Sequence, residues 1–158
     1  MAIQAHMSVK GKVQGQFKGE AAAKGPSDQW IPIVGFTMGM KSPRDLATGQ
    51  ASGKRQYDPV TIVKAWGAAS PQALTACATN EVLSSVTIEF LKSVADGKAA
   101  VYQTITLTDA TLSQVARYTG DSSAPAALES WSFTFSKIQV ADKDGDTTFL
   151  DEWQAARV

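Results

Sequence analysis

Between residues 84 and 140 apolar and small polar residues take turns at period two, through SSVTIEFLK, VYQTITLTDATLSQVARYTG and LESWSFTFSKIQV. A pleated strand sends successive side chains to opposite faces, so this alternation predicts half-buried antiparallel strands. Val86, Ile88 and Phe90 share one face of the first, and Ile105 and Leu107 oppose Thr104, Thr106 and Thr108 in the second. Asp96 and Gly97 between them mark a hairpin turn. The second run reaches about Tyr118, a length that requires a bend or a bulge. In the third, Trp131, Phe133 and Phe135 form an aromatic face against Ser132, Thr134 and Ser136. Ile138 and Val140 then change parity, which predicts a bulge near Ser136 within one strand.

The same period opens the chain. Ile3, Ala5, Met7 and Val9 alternate with Gln4, His6, Ser8 and Lys10, predicting a first strand over 3–13. QFKGEAAAKGPSDQ is a loop punctuated by Pro26, with room for a helical turn through EAAAK. WIPIVGFTMGM is apolar but interrupted by Pro32 and Gly35, and reads as an edge strand because proline donates nothing to a ladder. In PVTIVKAW, Val60 and Ile62 alternate with Thr61 and Val63. SPQALTACATNEV breaks the period and predicts one short helix, with Ser70 as N-cap, Pro71 at the first helical position, Leu74, Cys77 and Ala78 on one face, and Asn80 as the stop. GDSSAP is a loop, DKDGDTT a turn, and TFLDEWQAARV a final strand or short helical tail. Without internal repeat or linker, 158 residues predict a single domain over 1–158.

One stretch fits no period. KSPRDLATGQASGKRQY, residues 41–57, is polar and too long for a tight turn, so it is either mobile or ordered by contact. Lys41, Arg44, Lys54 and Arg55 make it basic, which suits an acidic patch on a partner as well as a solvated loop.

Composition removes several function classes. With 44% apolar and 19% charged residues the chain can bury a core, and 15 basic against 15 acidic residues leave no net field for nucleic acid or anionic lipid. A balance near neutrality also removes much of the repulsion between identical copies. Cys77 is the only cysteine, so no intrachain disulfide or paired-thiol zinc motif forms. The opening residues carry no signal-peptide pattern, and no span holds the roughly 20 apolar residues of a membrane helix. The reading is therefore cytoplasmic synthesis, no membrane insertion, and export, if any, by another route.

Candidate chemistry is thin. Asp142, Asp144, Asp146 and Asp151 resemble a calcium loop, but Gly145 precedes the third alternate carboxylate where an EF-hand glycine follows it, so a hairpin turn is expected and no metal. His6 has no acid or nucleophile near it in sequence, and Cys77 reads as a small apolar residue. No catalytic triad, phosphate loop or dinucleotide fingerprint is present, so neither an enzyme nor a cofactor is expected. Trp66 and Trp131 read as core or interface aromatics, while Trp30 and Trp153 are undecided.

In their order, GKRQYDPVTIVKAWGAASPQALTAC, YQTITLTDATLSQV and ESWSFTFSKIQV resemble the Hcp family, the tube proteins of the bacterial type VI secretion system. The resemblance implies a mainly β fold, a small barrel of two packed antiparallel sheets with one short helix on its side. It implies hexameric rings stacked into a tube, with a contractile sheath, a spike (VgrG-like) and secreted effectors as partners, and passage out of the cell without a signal peptide. It makes 41–57 the extended loop between adjacent rings, with Lys41, Arg44, Asp45, Lys54, Arg55, Gln56 and Tyr57 as the inter-protomer residues. The start before Ser8, KGEAAAKGPSDQ and the tail DEWQAARV depart from the family pattern. Other readings are a tail-tube protein of a phage-like or extracellular contractile particle, and a monomeric β-barrel module binding through Trp30 or Trp153.

Overall fold

A computed structural model describes residues 4–20, 29–120 and 127–153. The possible helical turn through EAAAK, the GDSSAP loop and the end of the tail lie wholly or largely outside them. Strand β1 (Gln4–Gly11), against which the short β2 (Gly15–Gln16) folds back, runs antiparallel to β8 (Leu83–Ser93), β8 to β9 (Ala99–Thr119), β9 to β10 (Ala127–Thr134), and β10 to β7 (Val60–Ala65). The circuit returns to its start through one apolar run. Its first half, β3 (Ile31–Ile33), pairs with β1, and its second half, β4 (Gly35–Thr37), pairs with β7. The edge strand expected over this run is thus two strands, joined at Val34, whose N–H donates to Val63 O at 2.8 Å. Pro32 tolerates this place because it lies exposed on the β3 edge.

The 21-residue β9 serves both halves of the circuit. Residues 99–110 pair with β8 and residues 111–119 with β10, and the change falls beside Asp109, which has φ 49°. A second irregularity follows, where Leu112 and Gln114 face Phe133 and Ser132 and leave Ser113 as an extra residue. The expected bend is therefore where one sheet turns into the next.

The parity change near Ser136 has a different cause from the bulge expected there. The chain leaves β10, crosses Phe135 and Ser136, and joins the other flank of the barrel as β11 (Lys137–Asp142), paired with residues 103–108 of β9. One presumed strand is two. β12 (Thr147–Glu152) pairs with β11 through the expected Asp-Gly turn, in which Asp142 Oδ1 accepts from Gly145 N–H at 2.8 Å. Among the described residues β12 has no strand on its other side.

Alternation placed the core correctly. Met7, Val9, Val86, Ile88, Leu107, Trp131, Phe133 and Ile138 are fully buried, with Ile105 and Phe135 nearly so. The first strand ends at Gly11 rather than 13, because Glu81 holds the following turn. Its Oε2 accepts from the N–H groups of Val13 and Gln14 at 2.9 and 2.8 Å, and a Cβ on residue 11 would overlap that carboxylate.

Helix α1 (Ser70–Thr79) has its cap one residue earlier than expected, at Ala69, and no side chain caps it locally. Glu20 does so from a distance, accepting from Ala69 N–H at 2.8 Å. The buried side comprises Ala69, Ala73 and Ala76, while Leu74 and Ala78 face outward and Cys77 is half-buried. The expected face was wrong because the helix docks through its small residues, which let it lie close to β9. Asn80 ends it as expected, in the left-handed region at φ 55°.

Candidate assembly surface

The stretch at 41–57, expected to be either mobile or ordered by contact, has a pairing of its own. It is an arm with its own ladder: β5 (Met40–Lys41) pairs with β6 (Gln56–Tyr57), and Arg44 bridges Ala51 further out. Its tip is closed by Asp45, whose Oδ1 accepts from Ala47 N–H at 2.7 Å and Thr48 N–H at 3.3 Å. Gly49, at φ 74°, completes the turn and returns its N–H to Asp45 O at 2.8 Å. Almost every residue from 42 to 56 is exposed, and Leu46 at the tip is fully so.

The base of the arm is fixed by a residue that sequence reading had grouped with a metal loop. Asp151 on β12 accepts from Arg55 through both carboxylate oxygens, the Nη2 contact being 2.7 Å, and Tyr57 OH donates to it as well. Arg55 Nη2 also donates to Glu152 O at 2.9 Å. Tyr57 is buried against Phe135 and Trp153, with ring centroids 5.1 and 5.2 Å away. The hydrogen bonds from Arg55, aided by Tyr57 and outweighing burial, hold the Asp151 carboxyl below its ordinary range. Burial, with Asp151 beside it, pushes the Tyr57 phenol up to about 12. The bond to Asp151 raises Arg55 further, so this anchor stays ionised across neutral pH.

All seven residues expected at the inter-protomer loop lie on this arm. Arg55 and Tyr57 face the body, Asp45 shapes the tip, and Lys41 and Arg44 make no ion pair with any described residue. Gln56 is exposed in the ladder opposite Lys41. A cleft of about 720 Å³ opens beside the base, lined by Lys12, Lys54, Arg55, Asp109, Phe135 and Trp153 among others.

A second polar cluster was missed. Lys64 and Glu129 are fully buried, on the faces that also carry Ile62 and Trp131. Lys64 Nζ lies 3.0 Å from Glu20 and 3.7 Å from Glu129, and donates to Ala65 O at 2.6 Å. Glu129 accepts from Ser70 Oγ at 2.8 Å, Trp131 Nε1 at 2.5 Å and Arg117 Nε at 3.3 Å. Two cations and two carboxylates therefore balance, Lys64 and Glu129 in the interior and Glu20 and Arg117 at its rim, and tie α1 to the sheet. Parity was the available signal: Lys64 continues the buried series Val60, Ile62, and Glu129 begins the series Trp131, Phe133.

The fold also supplies partners to residues that stand alone in sequence. His6 does have an acid, because the β1–β8 register places Glu89 opposite it, 2.8 Å from Nε2. Trp30 covers the pair, 4.2 Å from the imidazole, and Trp153 packs at the arm base. Trp131 is core, but Trp66 is 42% exposed, with the Arg117 guanidinium 4.1 Å over its ring. No cluster of metal-ligating side chains occurs among the described residues, and none of their helices is long and apolar enough to cross a membrane.

Comparison with known proteins places this architecture. Residues 6–141 match the family described as type VI secretion system effector, Hcp. The chain is 31% identical to the major exported protein of Pseudomonas aeruginosa, over 98% of both. Its fold is that of a solved Hcp protein, with a TM-score of 0.88 at 20% identity covering 95% of this chain and 99% of that one. Hcp1 of E. coli EAEC 042 superposes at a TM-score of 0.86 and 23% identity, covering 96% and 99%. On the extent of these matches the chain belongs to the Hcp family, the tube proteins of the type VI secretion system.

Proposed function

We propose that the chain works as a structural subunit, closing into rings of six that stack into the inner tube of a contractile secretion machine. One observation carries this reading: a member of the Hcp family presents an ordered arm that makes no use of its outer half within its own subunit. A hairpin of this length loses much conformational freedom, and the loss is offset only if its outer residues gain contacts elsewhere. The edge of β12, unpaired among the described residues, supports the same reading, since closed rings consume edges that would otherwise aggregate.

In this account residues 1–158 act as one domain and do no chemistry. The sheath drives the tube, a spike caps it, and effector proteins travel within it. The protein is made in the cytoplasm and leaves through the machine itself, in keeping with the relative described as exported. Negative-stain microscopy of the purified protein tests the claim: six-fold toroids are expected, and a field of particles without a central hole contradicts it.

A further inference from the structure

The cluster around Lys64 holds the parts of a condensation reaction. Lys64 Nζ is a fully buried primary amine, 3.0 Å from Oε2 of Glu20 and 3.7 Å from Oε2 of Glu129. The two carboxylates are held differently. Glu129 receives Ser70 Oγ, Trp131 Nε1 and Arg117 Nε, so both its oxygens face donors and its negative charge is well supported. Glu20 Oε2 receives, besides the Lys64 ammonium, one backbone N–H, that of Ala69 at 2.8 Å at the start of α1.

Backbone geometry fixes Glu20 in this place. Its N–H donates to Trp30 O at 3.0 Å, and residue 67 is a glycine where any Cβ would overlap the Glu20 carboxyl. Apolar walls keep water from the amine. The Trp131 ring centroid lies 5.4 Å from Nζ, and Phe17, fully buried, packs edge-on against that indole. Glu20 reaches the rim, its side chain 12% exposed, which leaves a way out for a small product.

We propose that Lys64 and Glu20 condense within the folded chain, forming an amide between Nζ and Cδ with Glu129 as the proton carrier. A first proton passes from the ammonium through Glu129 to Oε1 of Glu20, which frees the Nζ lone pair and neutralises the carboxylate under attack. For this transfer the Glu129 contact tightens by about half an ångström, to ordinary hydrogen-bond reach. The lone pair forms the C–N bond at Cδ, and Ala69 N–H stabilises the charge developing on Oε2. A second proton follows the same route from Nζ to Oε1, the C–O bond breaks, and Oε1 leaves as water. One N–H stays on the amide, Glu129 ends as it began, and no oxidant or co-reactant is consumed. The driving force is electrostatic: a desolvated amine–carboxylate pair becomes a neutral amide, and Arg117 with Glu129 remains as a balanced pair. The step is slow beside folding, because the ammonium gives up its proton inside the ion pair that holds it. Freshly folded chain therefore carries the ion pair and aged chain the amide. With a single cysteine the chain has no intrachain disulfide, whereas this link encloses β3, β4 and the arm in one covalent loop that reducing conditions do not open.

Mass spectrometry of the full-length protein, fresh and after days at neutral pH, tests this. The aged chain is expected to be lighter by one water and to yield on digestion a branched peptide joining Glu20 to Lys64. Its thermal unfolding should lie about 10 °C above that of fresh protein, as for a cross-link of this span. Lys64→Arg keeps the cation and removes the nucleophile, so that variant should keep its full mass on ageing. Glu129→Gln keeps the shape and an acceptor for Ser70, and should slow the conversion about a hundredfold in protein whose circular dichroism matches wild type. An equal rate in that folded variant overturns the role of Glu129, and if the variant does not fold, the wild-type mass and peptide map decide alone. Aged wild-type chain of full mass overturns the proposal. So does a loss of water that persists in Lys64→Arg, since dehydration at the Asp96–Gly97 step gives the same mass, and so does a branched peptide joining Lys64 to Glu129 instead.

Discussion

Lys64 is the position where a single change most severely tests the physical account of the barrel. Its ammonium is wholly buried and sits between Glu20 at 3.0 Å and Glu129 at 3.7 Å. Lys64→Ala turns a balanced group of two cations and two carboxylates into one with an excess negative charge, and opens a cavity under Trp131. Removing one partner of a buried pair costs about 3–5 kcal/mol, because the remaining charge cannot recover its hydration. For a domain of this size that lowers Tm by roughly 6–20 °C, at about 2–4 °C per kcal/mol. Glu129→Leu should be similarly damaging, since it leaves two cations against Glu20 alone and deprives Ser70 and Trp131 Nε1 of their acceptor. The double change Lys64→Met with Glu129→Leu removes both charges, so its cost should fall short of the sum of the singles by about 2 kcal/mol. Urea unfolding followed by circular dichroism at fixed protein concentration measures all three. Single variants losing less than about 1 kcal/mol, or losses that simply add, would refute the claim that the cluster is a desolvated, mutually dependent unit.

The arm anchor gives predictions in pH. Asp151 has its folded pKa depressed, so its contribution is complete above the unfolded value of about 3.9 and is lost as pH falls through the lower folded value. Proteolysis within 42–56 should therefore accelerate in acid before the barrel unfolds, and Asp151→Asn should show the fast rate already at pH 7. Tyr57 has its folded pKa raised from 10 to about 12, so its contribution is intact below pH 10 and disappears as pH rises toward 12. Ultraviolet titration should show a late phenolate step near pH 12 that is absent from Tyr57→Phe, and its persistence in that variant would refute the assignment. At the end of α1, Asn80→Ala removes the short polar side chain that eases the left-handed region and should cost about 1 kcal/mol in thermal unfolding, while Asn80→Gly should cost nothing measurable.

Much of the barrel was legible because period two is a direct consequence of strand geometry. Met7, Val9, Ile88, Leu107, Trp131 and Phe133 are buried for the reason their spacing gave. What spacing could not reveal was which strand each residue pairs with. Alternation is the same whether a run stays in one sheet or passes to another, so Ile31–Ile33 and Gly35–Thr37 read as one strand, and residues 128–140 as a bulged one. The same limit hid Glu89 from His6 and Asp151 from Arg55, partners 83 and 96 residues apart that only register brings together. The helix face failed for another reason: hydrophobicity favoured Leu74, but close approach to β9 selected the alanines. For the arm, a residue-type argument found the basic character and the place. Its order was not visible, because it comes from backbone bonds at Arg44–Ala51 and from the Asp45 turn, not from any periodic side chain.

The central claim is that copies of this chain close on themselves. The most direct measurement is the solution mass by sedimentation equilibrium across a wide concentration range. The account predicts a species of about 100 kDa, six times the 16.7 kDa chain, with larger multiples of it where rings stack. A single 16.7 kDa species persisting at high concentration would contradict it.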